Sequence, residues 1–352
     1  MARIFVHLDN IVKNLKIAKT MCKECGAELI VVTKCCGSDS VILNHLIENG
    51  ADMIAESHPG NYKNINDSIT KTCLLTRLSA LKEKIPCDYL FISELEILKK
   101  LSNSPFSKIY QVIIPVEVGD MREGVPPEQM ILFMNQAMKI KNINIAGFSA
   151  NFGCFTELSP DAGRVDSFVR FINHIAETVD FHPKILSIGG SSLWPLLKAN
   201  KIPEQINQIR IGEAIFLGKD PGLNCPIQEL CQDTFILESE IIEIKKKYIK
   251  SKNYFKGSPY PDPDHLKQED IRRQAVIDIG YATAPCTELI PIQSGIKIIG
   301  SSQDYMVIDL TDFEKDLSVG HTVKFSMTYK ALAKVMTSDN PELEKSYISL
   351  KG

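Results

Sequence analysis

The stretch LIVVTKCCGSDS, residues 29–40, contains a short strand, a lysine at its end and the start of a helix. Leu29–Val32 is a run of β-forming apolar residues, and Ser38 and Asp39 are residue types that begin helices. A strand followed directly by a helix is the repeating unit of α/β proteins. Lys34 lies between the two elements, where burying an unpaired ammonium is costly, so a lysine at this place needs a specific reason.

Strand and helix signals alternate through the first two thirds of the chain. Val41–Glu48 and Val165–Ile175 have helical spacing, and Ser93 with Glu96 forms the pattern of a capping box. Eight strands alternating with helices are typical of a closed (β/α)8 barrel. The alternative is an open doubly wound sheet, which usually has about six strands and a Gly-x-Gly-x-x-Gly turn after the first of them; that turn is absent here. The eight predicted strands are Leu29–Val32, Met53–Ala55, Cys73–Leu78, Tyr89–Ile92, Val112–Val118, Ile145–Ala150, Ile185–Ile188 and Ile209–Ile211.

Helical spacing becomes scarce after residue 232, where strands separated by turn residues are predicted instead. We therefore predict an α/β fold in which a (β/α)8 TIM barrel, residues 1–232, is followed by a C-terminal all-β domain, residues 233–352. The alternative for residues 1–10 is that they belong to the β domain, to which Arg3–His7 would contribute a strand. The polar stretch 249–271 is predicted to be a loop. The strands predicted in the β domain are Ile236–Ile244, Arg273–Ile279, Ile296–Ile299, Tyr305–Leu310 and Thr322–Met327.

Composition excludes several classes of protein. The net charge is −3, and basic residues are spread along the 352-residue chain, which argues against a nucleic-acid or anionic-membrane surface. The N-terminal sequence is unlike a signal peptide, and no apolar run reaches about 18 residues, so we expect a cytoplasmic protein. Ten cysteines are present, but the Cys22-Cys25 pair has no second pair at zinc-ligand spacing. No metal site is predicted.

Candidate functional residues follow the predicted barrel strands, at the end where the loops of such barrels build active sites. Lys34 follows the first strand and could react as a nucleophilic amine with a carbonyl compound. Gly189-Gly190-Ser191-Ser192 follows the seventh, where glycines, hydroxyls and a helix start suit a phosphate group. Arg210 and Gly212 lie at the end of the eighth strand, and phosphate sites in barrels commonly follow strands seven and eight.

These motifs, together with Arg122 in VEVGDMREG and the C-terminal β domain, resemble the alanine racemase family of fold-type III enzymes, which use pyridoxal 5'-phosphate (PLP). The resemblance covers nearly the whole chain. The segments VTKCCGSD, SELE, INQIRIGEAIFLG and VGHTVKFSMTYKALAKVMTS most resemble its ornithine/alanine racemase-like branch.

The resemblance implies a role for each matching residue. Lys34 would hold PLP as a Schiff base, and Arg210 would face the pyridine nitrogen. Arg122 would lie near the ring hydroxyl and the substrate carboxylate, and Asn151 would pack against the ring. The groups implied to contact the phosphate are Ser191, Ser192, Gly212, Glu213 (through its backbone) and Tyr329.

Arg210 separates the enzymatic alternatives. A permanent cation beside the pyridine nitrogen keeps that nitrogen unprotonated, which favours removal and return of the Cα proton over transamination. The predicted function is therefore a PLP-dependent amino-acid racemase. The resemblance to the ornithine/alanine racemase-like branch implies ornithine or a related small or basic amino acid as the substrate, with lysine, alanine or serine as alternatives to ornithine. A fold-type III decarboxylase, in which a carboxylate replaces this arginine, and a non-catalytic PLP carrier, whose chain ends near the end of the barrel, remain the other interpretations.

The second acid/base is left open by the sequence. In the family it is a tyrosine from the partner subunit's β domain, so a homodimer is expected; here the candidates are Tyr248, Tyr254 and Tyr260, with Tyr254 favoured. Two further positions depart from the family pattern, because a phosphate-binding tyrosine is Ser38 here and a carbamylated lysine is Pro115. A cofactor-free racemase using two thiols is not favoured, since Cys35 and Cys36 would point to opposite sides of an extended strand end.

Overall fold

The computed structural model describes residues 2–62, 65, 68–105, 109–153, 160–223, 225–248 and 267–349. The chain divides into two compact units. Leu8–Gln232 forms the first, and Met1–His7 together with Asp233–Gly352 forms the second. Strand β1 (Arg3–His7) thus belongs to the second unit.

The first unit is a closed barrel of eight parallel strands. Its strands are β2 (Glu28–Val32), β3 (Met53–Glu56), β4 (Thr70–Cys73), β5 (Tyr89–Phe91), β6 (Gln111–Val116), β7 (Asn144–Asn151), β8 (Ile185–Gly189) and β9 (Gln208–Ile211). The barrel closes where β2 pairs with β9, with Val31 opposite Ile211. Side chains such as Ile30, Ile54 and Ile209 are completely buried, because parallel strands are covered on both faces. The prediction of an eight-stranded α/β barrel is confirmed.

Helices cover the outside of the barrel. They are α1 (Leu8–Glu24), α2 (Ser40–Glu48), α3 (Leu95–Ser102), α4 (Met130–Ala137), α5 (Ala162–Val179), α6 (Trp194–Lys198) and α7 (Glu213–Leu217). The short strands β10 (Lys219–Asp220) and β11 (Cys225–Pro226) form an antiparallel pair near the end of this unit. None of the helices in the described part of the chain is both long and apolar enough to cross a membrane.

The third barrel strand lies earlier in the chain than predicted. The apolar run Cys73–Leu78 predicted it, but β4 is the polar segment Thr70–Cys73. Its Lys71 is buried and donates a hydrogen bond from Nζ to the carbonyl oxygen of Ile65 at 2.9 Å. A polar strand of this kind contains no apolar run. The strand was therefore predicted at the apolar residues that follow it.

Two helices agree with the sequence prediction, α2 in its start and α5 in its buried face, and the start of a third differs. Asp39 caps α2 by accepting hydrogen bonds from the N–H groups of Val41 and Ile42, and α5 buries the predicted apolar face. The capping box at Ser93 and Glu96 was wrong. Helix α3 begins at Leu95 and its N-cap residue makes no side-chain hydrogen bond, so Ser93 lies too early in the chain to cap it.

The second unit is built on an antiparallel sheet with the strand order β14-β17-β12-β13-β16-β15, and β1 joins it by pairing with β12 and with β18. Its strands are β12 (Phe235–Tyr248), β13 (Ile271–Ile277), β14 (Leu289–Pro291), β15 (Lys297–Ser301), β16 (Met306–Asp309), β17 (Thr322–Met327) and β18 (Glu344–Ile348). One helix, α8 (Tyr329–Met336), was not predicted. Most of the predicted loop at 249–271 lies outside the described residues.

Candidate active site

Lys34 lies at the carboxyl end of β2, in a single turn of 3-10 helix, Lys34–Cys36. The residue is half-buried. Within the described part of the chain its ammonium group has neither a hydrogen-bond acceptor nor an ion-pair partner. An amine held in this way at the mouth of the barrel is free to react with a carbonyl group.

The loop after β8 forms hydrogen bonds with residues that follow β7 and β9. Gly190 has a φ of +121°, and a Cβ placed there would lie 2.9 Å from both the Phe152 carbonyl oxygen and Ser192 Oγ. Ser192 Oγ donates to the Phe152 carbonyl oxygen at 2.8 Å, whereas Ser191 Oγ accepts from the N–H of Ala214 at 2.9 Å. Among the described residues the Ser191 hydroxyl hydrogen has no acceptor, and Ser191 begins a turn of 3-10 helix, where the first N–H groups have no acceptor within the helix itself. This arrangement suits an anion.

Arg210 lies on β9 with its side chain inside the barrel. Its Nη1 donates to Ser187 Oγ at 2.7 Å, and its Nη2 donates to the Ala150 carbonyl oxygen at 2.8 Å. The guanidinium carbon lies 5.1 Å from the centroid of the Phe91 ring. A Cβ at Gly189 would lie 2.5 Å from Nη2, so glycine leaves room for the guanidinium in its present position.

The charge of Arg210 is balanced incompletely. No described carboxylate forms an ion pair with it, although Glu123 lies near enough to act on it electrostatically. Burial lowers the pKa of Arg210 to about 10, with Glu123 opposing that shift and Arg122 adding to it. The side chain is still a cation at neutral pH and presents its charge to whatever occupies the barrel mouth.

Arg122 lies in the loop after β6 and contacts two acidic side chains. Its Nη2 donates to Glu123 Oε1 at 2.6 Å, and its Nε also contacts Glu123. Asp120, which is 5% exposed, lies 3.7 Å from the same guanidinium and accepts a hydrogen bond from Asn151 Nδ2 at 3.0 Å. Asn151 and Arg122, predicted separately, are thus joined through Asp120.

The family described as alanine racemase, N-terminal domain, matches residues 6–220, which is more than half of the chain. The chain belongs to the alanine racemase family. The match covers all the strands of the barrel and ends at β10.

Two relatives match nearly the full length. A lysine racemase of Thermotoga maritima is 30% identical, with 98% of each chain covered. An ornithine racemase of Acetoanaerobium sticklandii is 27% identical, covering 97% of this chain and 99% of its own.

Solved structures share the fold. An alanine racemase from Streptomyces lavendulae has a TM-score of 0.75 at 15% identity and covers 99% of this chain and 97% of its own. A D-threonine aldolase from Filomicrobium marinum has a TM-score of 0.72 at 12% identity, covering 95% and 88%. Since these two proteins have different activities, the fold alone does not specify a reaction, and the reaction must be argued from the site residues.

Both departures from the alanine racemase family pattern have a structural counterpart. At Pro115, where a carbamylated lysine was expected to orient the arginine, the chain has no side-chain anion; Glu123 and Asp120 contact Arg122 instead. At Ser38, where a tyrosine was expected, the hydroxyl donates to the buried carboxylate of Glu56 at 2.7 Å. Glu56, Asp120 and Glu123 were not selected from the sequence, although each lies directly after, or a few residues beyond, a predicted strand.

The candidate tyrosines fall into two groups. Tyr254 and Tyr260 lie outside the described residues, and Tyr248 is the last residue of β12. Tyr329, the predicted phosphate ligand, begins α8 in the second unit, where Thr328 caps the helix by accepting from the N–H of Ala331.

The tyrosines of the barrel unit do not supply a free hydroxyl at the mouth. Tyr62 is buried and donates to the Thr72 carbonyl oxygen at 3.0 Å, and burial raises its pKa. Tyr89 begins β5, at the opposite end of the barrel. Tyr110 precedes β6, and its hydroxyl donates to the Ile85 carbonyl oxygen.

The neighbouring thiols are unsuited to proton transfer. Cys35 and Cys36 are completely buried. Cys36 Sγ donates to the Thr33 carbonyl oxygen at 3.0 Å, and burial raises the pKa of this thiol, an effect that Glu56 increases. This agrees with setting aside a two-thiol mechanism.

Glu213 begins α7, and its carboxyl group should make stability depend on pH. Burial raises its pKa from 4.5 to about 7; Lys219 opposes this shift and Asp220 adds to it. The carboxyl group ionises at a lower pH in the unfolded chain than in the folded protein. Its contribution to the free energy of unfolding is therefore fully present below pH 4.5 and is lost as the pH rises towards about 7. Glu213→Gln should therefore be more stable than wild type by about 1–3 kcal/mol at neutral pH and above.

Urea unfolding at both ends of that pH range measures the difference. Glu128→Gln, at an exposed glutamate, is the control and should show the same stability relative to wild type at each pH. A Glu213→Gln advantage that does not change with pH would contradict the prediction.

Proposed function

We propose that this protein is a PLP-dependent racemase that interconverts the L- and D-forms of a basic amino acid. The observation that carries the proposal is Arg210, a buried cation held by a hydroxyl and a carbonyl oxygen rather than by a carboxylate. Relatives named lysine racemase and ornithine racemase, similar over nearly the full length, support the substrate class.

The described residues fit PLP. The Ser191 hydroxyl and the helix-start N–H groups around it suit the phosphate, and Gly190 leaves space that a Cβ would fill. Lys34 offers an amine that has no competing partner among the described residues, and Arg210 offers a donor for the pyridine nitrogen. When bound, PLP supplies an electron-withdrawing ring that makes the substrate Cα–H more acidic.

The side chains then have distinct tasks. Lys34 Nζ removes and returns the Cα proton on one face of the substrate. Arg210, as a permanent cation, keeps the pyridine nitrogen unprotonated, which favours return of the proton to Cα. Arg122 binds the substrate carboxylate, and the Asp120 and Glu123 carboxylates hold its guanidinium in place.

A second proton donor is needed on the opposite face of Cα. In the alanine racemase family this group is a tyrosine from the partner subunit's β domain, and the described tyrosines of the barrel unit offer no alternative at the mouth. We assign it to a tyrosine at the end of β12 or in the segment of chain that follows, with Tyr254 favoured over Tyr248 and Tyr260, contributed by the second subunit of a homodimer. Light scattering of the purified protein tests the dimer.

Gly190→Ala should weaken PLP binding. An alanine would be strained at a φ of +121°, and its Cβ would contact the Phe152 carbonyl oxygen and Ser192. We expect the PLP dissociation constant to rise about 10- to 100-fold, as measured by fluorescence titration. Gly300→Ala, at a glycine with open space around its Cα, should bind PLP as wild type does; equal binding by both variants would contradict the assigned phosphate site.

A substrate panel tests the function itself. PLP-loaded protein is incubated with L-ornithine, L-lysine, L-alanine and L-serine in deuterated water. The expected result is the D-enantiomer of ornithine or lysine with deuterium at Cα. Release of CO₂ would indicate a decarboxylase instead, and a protein that binds PLP but leaves every amino acid unchanged would indicate a PLP carrier.

A further inference from the structure

The turn that carries Lys34 has an unusual backbone. Gly37 has a φ of +58° and Ser38 a φ of +53°, so two consecutive residues adopt the left-handed conformation. Glycine does so easily, but serine pays a steric cost because it has a Cβ. A conformation of this kind persists only where surrounding contacts hold it.

Glu56 supplies those contacts. It is the last residue of β3, the neighbour of β2 in the barrel, and its side chain is 1% exposed. Its Oε1 accepts from Ser38 Oγ at 2.7 Å and lies 3.0 Å from Thr33 Oγ1, whose single hydrogen is shared with the Ala55 carbonyl oxygen at 3.2 Å. One carboxylate oxygen therefore joins the residue before Lys34 to the residue that ends its turn.

The other carboxylate oxygen is held as well. Glu56 Oε2 accepts from Asn61 Nδ2 at 3.5 Å. Burial raises the pKa of Glu56, and the hydrogen bonds from Ser38, Thr33 and Asn61 oppose that shift. A buried carboxylate is costly where an apolar residue would fill the same space. Three side-chain donors nevertheless surround the carboxyl group of Glu56, and all three come from segments next to the end of β3 in the fold.

We propose that Glu56 is a positioning residue, which holds the Thr33–Ser38 turn so that Lys34 Nζ faces the barrel mouth. This inference rests on the proposed role of Lys34 as the PLP-bearing lysine. Ser38 takes part in the same arrangement, because its hydroxyl links the turn to β3 through Glu56.

Variants of Glu56 separate geometry from charge. Glu56→Gln keeps an oxygen that accepts from Ser38 and Thr33, and it should retain kcat within about twofold of wild type. Glu56→Ala removes the acceptor, so kcat should fall about 10- to 100-fold, with a changed visible spectrum of the bound PLP. The KM for the amino acid should stay the same, because the carboxylate-binding Arg122 is untouched.

Variants of Ser38 provide a matched pair that does not alter the buried carboxylate. Ser38→Ala keeps the backbone strain and loses the hydrogen bond, whereas Ser38→Gly loses the hydrogen bond and relieves the strain. Ser38→Ala should therefore show the lower kcat and the larger spectral change. Should Glu56→Ala not fold, as judged by circular dichroism, this pair carries the test.

Each outcome has a separate meaning. Wild-type kcat and spectrum in Glu56→Ala, or equal kcat in both Ser38 variants, would overturn the positioning role. Equal loss in Glu56→Gln and Glu56→Ala with an unchanged PLP spectrum would also overturn it, because the proton of Glu56 would then be required. A wild-type protein that neither binds PLP nor racemises any amino acid would refute the proposed function instead.

Discussion

Replacing Lys34 with alanine is expected to reduce racemisation by a factor on the order of 10⁴ or more, the scale of loss seen when a catalytic nucleophile is removed. The reason is that the same Nζ is proposed both to hold PLP and to move the Cα proton. The variant should also lose the visible absorbance of lysine-bound PLP. Chiral chromatography of a basic amino acid and an absorbance scan measure the two effects.

Two controls make the Lys34 result specific. Lys34→Arg keeps the positive charge but removes the nucleophilic amine, so it should be as inactive as the alanine variant. Lys198→Ala removes an exposed lysine that pairs with Glu229 and should behave as wild type. In wild type, borohydride reduction followed by peptide mapping should place the PLP on Lys34; a label on another lysine would refute the assignment.

Replacing Arg210 with glutamine is expected to change the reaction as well as slow it. Glutamine removes the cation proposed to face the pyridine nitrogen, and its single, shorter amide group cannot reproduce both hydrogen bonds of the guanidinium, to Ser187 and to the Ala150 carbonyl oxygen. We expect kcat to fall about 100-fold, the size of loss typical for one preorganised electrostatic group. A keto acid should appear as a side product, because the ring nitrogen can then be protonated and becomes a stronger electron sink.

The control for Arg210 keeps the charge and changes its shape. Arg210→Lys should produce less keto acid than Arg210→Gln, although lysine cannot reproduce both hydrogen bonds. Arg170→Gln, on the exposed face of α5, should match wild type. Mass spectrometry of the products measures the keto acid. If Arg210→Gln racemises as fast as wild type and yields none, Arg210 does not control the ring nitrogen.

Most of the barrel could be predicted because its signals are local. An apolar run of four or five residues is enough to indicate a strand buried on both faces, and seven of the eight predicted runs overlap the barrel strands along most of their length. The exception is β4, a polar segment that gives no apolar signal. Its buried Lys71 is tolerated because Nζ donates a hydrogen bond to the carbonyl oxygen of Ile65. Helix α8 was missed because it is a single short helix in a unit dominated by strands.

Local sequence patterns were sufficient to predict the strand–helix alternation, the place of Lys34 after a strand, and residue types that suit a phosphate and a ring nitrogen. The groups that surround these residues follow from the folded barrel. Arg210 takes its partners from residues 23 and 60 positions away, and Glu56 reaches Ser38 across 18 positions. The reason is physical: periodicity and propensity act within one element, whereas hydrogen bonds between loops depend on which strands the closed barrel makes neighbours.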